Sequence, residues 1–424
     1  MLKHFLVVCR QVLGRRVRDL ATLCLVPLLL GSLAAAAAPP TRSDALTGRW
    51  AATAEVAGAQ IPFRLDLVRQ GDHVQATFFD GARPTNPSTS GDFKNGQLHL
   101  VFAGYAATLD ATVQAGRLEG AYTVSGHAAV PIHAVRGAAG PSTAAGPPIR
   151  GEWIIPYASP KGESAWRLIV KQGKSGTEAA ILRIDGDTGT LNGGWVDGAY
   201  RLSHFAGERA ALLEARPQAD GSLQLVLIDG GGRKELRALR SDKALAAGVA
   251  PPDDPTRHTG VHDPKAPFRF AFPDLAGKVV ADTDPRFRGK VVVIDIMGSW
   301  CPNCHDEAPF LEALYRKHAR EGLEIVALDF EQPAQLSDPA RLRAFIKQAG
   351  LTYTVLLAGE PKEIAAKLPQ IDHFDAWPTT FFVGRDGRVK AVHVGFTSPG
   401  SGPRDIETRA EVEHTVERLL AERR

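Results

Sequence analysis

The stretch that decides the reading is Val291-Val292-Val293-Ile294-Asp295-Ile296-Met297-Gly298-Ser299-Trp300-Cys301-Pro302-Asn303-Cys304. Its continuous apolar run lacks the alternation of a half-exposed strand and suits a central strand covered on both faces. Pro302 then suits a helix start, where the missing N–H costs no intrahelical bond. Cys301 therefore stands after a strand at a helix N-terminus, where unpaired backbone N–H groups and the helix dipole favour negative charge. Cys304, one turn on, shares an apolar stripe with Ala308, Leu311 and Tyr315 and is expected to be the buried partner. Thiols so placed can exchange with disulfides: Cys301 as nucleophile opens a disulfide, and Cys304 resolves the mixed disulfide.

Cysteine usage supports the same chemistry. Of the four cysteines, Cys9 and Cys24 fall in an N-terminal stretch with basic Lys3, Arg10, Arg15, Arg16 and Arg18, an apolar run from about Leu20, and alanines up to Ala38. That layout is a secretory signal, so residues 1–38 are expected to be removed and the chain to be periplasmic or secreted. The alternative is a retained inner-membrane anchor facing the periplasm. Cys301 and Cys304 then remain as one pair, closing a loop too short to act as a structural staple. Without further cysteines or defensible histidine partners, no metal and no cofactor beyond the redox disulfide are expected. His305, His318 and His373 read as solvated. The leader also carries the excess positive charge, five basic residues against Asp19, which takes the net +3 to 3 − 4 = −1 without it. No nucleic-acid role follows.

Working outward, residues 265–424 alternate strands and helices. Residues 301 to about 320 read as a helix, 323–328 as a strand, 339–349 as a helix, and about 362–368 as a short helix. Thr379–Val383 and Val389–Val394 form a hairpin about Asp386-Gly387, and about 406–422 is a closing helix. The order β-α-β-α-β-β-α is that of a thioredoxin fold.

The N-terminal part has another grammar. Phe63, Leu65 and Leu67, then Leu98, Leu100 and Phe102, alternate with polar residues, and Asp80-Gly81, Asn95-Gly96 and Ala115-Gly116 read as turns. Gly48-Arg49-Trp50 returns as Gly151-Glu152-Trp153, and Arg64-Leu65 with Gln70-Gly71 returns as Arg167-Leu168 with Gln172-Gly173. The offset of roughly 100 residues marks two diverged copies of one β unit. The chain is thus multidomain: two N-terminal antiparallel all-β repeats, barrel or sandwich, at 45–138 and 149–242, a linker at 243–264, and a C-terminal α/β domain.

Gly298-Ser299-Trp300-Cys301-Pro302-Asn303-Cys304 followed by Glu307-Ala308-Pro309, with Trp377-Pro378-Thr379-Thr380 further on, resembles the TlpA/ResA-like thiol-disulfide oxidoreductases, a thioredoxin-fold redoxin family. The resemblance covers about residues 265–424. It implies that Pro378 is cis beside the cysteines, and that Trp300, Trp377, Pro378 and Thr379 meet an extended substrate. Glu307 would tune the cysteine pKa values. Asp295 departs from the family toward thioredoxin, whose buried acid stands at this spacing and would take the Cys304 proton. Met297 replaces a common aromatic residue. The implied enzyme is a reductant of envelope-protein disulfides, with protein thiols and disulfides as partners and an upstream membrane electron donor.

Three other functions compete with this one. A thiol peroxidase needs Ser or Thr three residues before its cysteine and Pro four earlier, where this chain has Gly298 and Ile294. A Sco-like copper carrier needs a cysteine spacing wider by one residue. A non-enzymatic alternative makes the β repeats a binding module for an envelope partner, with the redox domain as sensor.

Overall fold

The computed structural model describes residues 46–137, 146–174 and 176–422; the expected signal peptide lies outside them. Among the described residues no helix is long and apolar enough to cross a membrane.

The alternating segments form two nine-stranded antiparallel sheets of identical topology. In the first, Gly48–Val56 pairs with both Ala59–Gln70 and Val130–Arg136, and the chain returns through His73–Asp80 to Ala59–Gln70, closing a barrel. The short strand Arg83–Pro87 hangs on His73–Asp80 outside the closure. The second repeats this plan, Gly151–Pro156 pairing with Ala165–Gly173 and Gly232–Arg240, and Gly176–Arg183 closing onto Ala165–Gly173. Its extra strand is the two-residue Gly186–Asp187.

Alternation sets one face of this sheet inward, and the inward residues Leu65, Leu67, Phe78, Leu98, Leu100 and Phe102 are buried together in one core. Burial of each such side chain contributes roughly 1.5–3 kcal/mol. The internal repeat survives in detail: Trp50 Nε1 donates to the Leu46 carbonyl at 2.9 Å, and Trp153 Nε1 donates to the Ile149 carbonyl at 2.9 Å. The barrels interlock through Phe205 of the second, whose ring meets Phe63 at 4.8 Å and Phe78 at 5.6 Å inside the first core.

The C-terminal domain has the thioredoxin fold. Its strands are β1 (Val291–Met297), β2 (Leu323–Phe330), β3 (Thr354–Gly359), β4 (Thr379–Val383) and β5 (Val389–Val394), in the sheet order β3-β2-β1-β4-β5. Strands β2 and β3 run parallel to β1, and β4 and β5 form the antiparallel hairpin. Helices α1 (Pro302–His318), α2 (Ala340–Ala349) and α3 (Pro403–Ala421) pack on one face through Leu311, Phe345 and Val416. The other face is covered by Phe268, Phe270, Phe272 and Leu368. Every residue of β1 is buried, as its unbroken apolar run implied.

Two features correct the sequence reading. Strand β3 was absent from the expected order, because Thr354-Val355-Leu356-Leu357-Ala358-Gly359 is short and lies between two helical stretches, although Gly350 before it and Gly359 with Pro361 at its end mark its limits. A hairpin of Ala271–Pro273 with Val279–Ala281 was also missed. Between the second barrel and this domain, Ser241–Ala246 is helical, and Gly260–Val261 pairs with Ile371–Asp372, tying the connecting segment down.

Candidate active site

Cys301 is the N-cap of α1, and its Sγ accepts the backbone N–H of Cys304 at 3.3 Å. Both cysteines are free thiols; Cys301 is 4% exposed and Cys304 2%. Burial, the neighbouring Cys301 and Asp295 push the Cys304 thiol well up. A proton acceptor must therefore stand close by if Cys304 is to attack.

Such acceptors surround it. Asp295 lies in the middle of β1, opposite Ala327 on β2 and Thr380 on β4, and burial pushes its carboxyl up to about 7. Glu307, one turn beyond Cys304, is fully buried; burial and then Asp295 push it well above the usual range. Thr380 Oγ1 donates to Glu307 Oε1 at 2.8 Å, while Asp295 Oδ1 and Glu307 Oε2 have no partner. A carboxyl titrating near neutrality can exchange a proton with a thiol in either direction.

Sequence reasoning missed the scaffold beneath this pair. Asp329, at the end of β2, accepts the Ser299 N–H at 3.0 Å through Oδ1. Ser299 Oγ donates to Glu331, and Arg341 on α2 donates to Glu331 and, at 3.0 Å, to Ser299 Oγ. These long-range bonds fix the turn between β1 and Cys301. Their one local signal is a pair of acids, Asp329 and Glu331, ending an apolar strand.

The residues expected to meet substrate divide. The Trp377–Pro378 bond is cis, and the Trp300 and Trp377 rings meet edge to face at 5.4 Å. Trp300 Nε1 is held by the Phe330 carbonyl at 2.9 Å. The Thr379 side chain, in contrast, is fully buried and donates to the Ala376 carbonyl at 2.9 Å, so its hydroxyl braces the loop and does not face a substrate. Among the histidines, His305 stacks on Tyr105 at 4.1 Å and His318 is buried, which corrects their reading as solvated.

The barrels reach this site, a feature no sequence signal announced. Asn303, inside the Cys-Pro-Asn-Cys motif, donates through Nδ2 to the Asp185 carbonyl at 2.5 Å and accepts from Arg209 at 2.6 Å. Arg209 also bonds Asp306 at 2.7 Å, and Arg83 of the first barrel lies 3.4 Å from the same carboxylate. Gly186 makes a β-bridge to Phe396, beyond β5. Asp187 accepts from Ser398 N at 2.8 Å, from Ser398 Oγ at 3.0 Å and from Ser401 Oγ. Gly186 cannot be replaced here: its φ is +127°, and an added Cβ would run into the Phe396 carbonyl and the Asn303 carboxamide.

Residues 264–392 match the AhpC/TSA family. The thiol-disulfide oxidoreductase ResA of Bacillus thuringiensis subsp. konkukian (strain 97-27) is 34% identical over 122 residues, 28% of this chain and 62% of that protein. ResA of Geobacillus thermodenitrificans (strain NG80-2) is 29% identical over 126 residues, 30% of this chain and 66% of that protein. The chain thus spans less than two thirds of these curated relatives. A putative thiol:disulfide interchange protein DsbE from Chlorobium tepidum is 25% identical, with 36% of this chain and 94% of that one covered and a TM-score of 0.29.

Proposed function

We propose, from the premise that the C-terminal part is an AhpC/TSA-type domain similar to the ResA thiol-disulfide oxidoreductases, that this chain exchanges thiols with disulfides of envelope proteins. One observation carries the reading: Cys301 caps the start of α1 with Cys304 one turn in and Asp295 and Glu307 buried alongside. In the reductive direction, Cys301 thiolate attacks one sulfur of a substrate disulfide and the other sulfur leaves as a thiolate. Cys304 then gives its proton to Asp295 and attacks Cys301 Sγ. The substrate leaves as a dithiol, and the pair, now a disulfide, needs two electrons from a membrane donor to reset. Trp300, Trp377 and Pro378 would frame the substrate, and the leader would place the chain outside the cytoplasm.

Cys304→Ser tests the exchange directly. Cells carrying it should accumulate mixed disulfides on Cys301 that a reductant releases; none forming while Cys301 stays alkylatable sinks the reading. Direction is tested by the reduction potential, and a value well above roughly −180 mV counts against a reductant.

A second reading is favoured by the contacts of Asp185, Gly186 and Asp187 around Asn303. The barrels would act as a cover that a specific partner displaces, so partner binding and thiol exchange become one event. Under this reading, a partner that lifts the barrels speeds alkylation of Cys301.

A further inference from the structure

Away from the cysteines, three donor side chains converge from segments far apart in sequence. His258 lies in the segment joining the second barrel to the C-terminal domain, and His373 and Asp375 lie in the loop that leads to Pro378. Asp375 Oδ1 is 2.9 Å from His258 Nε2, and Asp375 Oδ2 is 3.4 Å from His373 Nε2. The three donor atoms all lie within 4.8 Å of one another.

Backbone pairing holds both segments in place. Gly260–Val261 pairs with Ile371–Asp372, His262 N donates to the Gln370 carbonyl at 3.0 Å, and Thr259 Oγ1 donates to the His373 carbonyl at 2.8 Å. The side chains grade from inside to outside, His258 at 8% exposure, Asp375 at 25% and His373 at 55%. That leaves an open side toward solvent.

We infer that His258, His373 and Asp375 form a site for a divalent ion of the zinc class. With metal–nitrogen bonds of about 2.0–2.1 Å, tetrahedral ligand atoms stand roughly 3.3 Å apart. The two imidazole–carboxylate separations, 2.9 Å to Asp375 Oδ1 and 3.4 Å to Asp375 Oδ2, lie near that value, and one donor atom from each of the three residues lies within 4.8 Å of the others. Two imidazoles and one carboxylate are the donor set this ion takes when a fourth position is left to water. The other convergent group among the described residues, His318 with Glu413 and Glu417, differs in one respect. Lys317 Nζ donates to both glutamates, at 2.6 and 3.1 Å, so an ammonium already occupies the place of a cation. A filled His258 site would pin the connecting segment to the loop before Pro378.

The test uses the untagged full chain with Cys9, Cys24, Cys301 and Cys304 all changed to Ser, so that no thiolate competes for metal. Titration with Zn²⁺ by calorimetry, and with Co²⁺ by visible absorption, should give one saturable site with the intense bands of tetrahedral cobalt. His373→Ala, at the exposed position, should weaken binding by more than the ~10–100-fold typical of outer-shell changes, and His258→Ala should do the same. Glu413→Gln should leave binding unchanged. Circular dichroism of each metal-free variant checks the fold. Absence of saturable binding in the cysteine-free chain overturns the inference, as does binding indifferent to His373→Ala or lost in Glu413→Gln.

Discussion

At the scale of single residues, Asp295 is the position where stability and chemistry oppose each other. Burial pushes its carboxyl up to about 7, above the 3.8 of an unperturbed aspartate, so the ionised form destabilises the fold. The sign follows from the direction of the shift. A group whose folded pKa is raised contributes its stability below the unfolded value, near pH 4, and loses it as pH rises through about 7. Asp295→Asn should therefore raise the melting temperature at pH 8 and leave it unchanged near pH 4, as measured by thermal denaturation at both pH values. The same variant should slow resolution of the mixed disulfide by roughly 10²–10⁴-fold, the usual worth of a positioned proton acceptor. Equal melting shifts at both pH values would show that Asp295 is not buried as a neutral acid. Cys301, Cys304 and Asp295 could be picked out in the chain because their signals are local: a spacing of three, a helix start, a lone acid in an apolar run. Asp329, Glu331 and Arg341 could not, because their meaning rests on contacts between β2, α2 and the turn before Cys301.

Among elements, the turn between Gly176–Arg183 and Gly186–Asp187 carries the most consequence. It reads in sequence as Ile184-Asp185-Gly186-Asp187, a turn like many others, yet it touches the redox motif. Gly186→Val should force this turn off Phe396 and Asn303 and leave the barrel pairing intact, since Gly186 pairs only at its margin. The expected result is alkylation of Cys301 faster by roughly tenfold, equivalent to about 1.4 kcal/mol taken from the closed arrangement. An unchanged rate would mean that this turn does not limit access. The barrel strands themselves were legible, since alternating apolar residues suit only a sheet with one buried face. What alternation leaves open is closure, which depends on a pairing between Ala59–Gln70 and His73–Asp80 that runs the sheet back on itself.

Across the whole molecule, the barrels and the thioredoxin domain meet through buried charge. Asp187 is completely buried and is pushed up to about 6, burial outweighing Arg209 and the hydrogen bond from Ser401. Because the shift is upward, this carboxyl supports the closed arrangement most fully below about pH 4 and supports it less as pH rises through 6. The ratio of Cys301 alkylation rates, Gly186→Val over the unaltered chain, cancels the intrinsic chemistry of the thiol. That ratio should fall between pH 5 and pH 7.5, and Asp187→Asn should flatten the change. A ratio constant with pH in the unaltered chain would remove Asp187 from the control of access. None of this interface was legible from the chain, because Asp80, Asp187, Arg209 and Asp306 are scattered polar residues until three domains bury them together.

The hydrogen bond from Asn303 to the Asp185 carbonyl also changes how substrate affinity must be understood. If the barrels act as a cover, as proposed, this turn would be a tethered competitor, present at an effective concentration fixed by the chain and undiminished by dilution. A substrate that needs the space around Asn303 binds with its intrinsic dissociation constant divided by the open fraction. A protein that grips the barrels from outside raises that fraction without touching a cysteine. Selectivity would then reside in which proteins can open the molecule, while the reactive sulfur itself could remain indiscriminate.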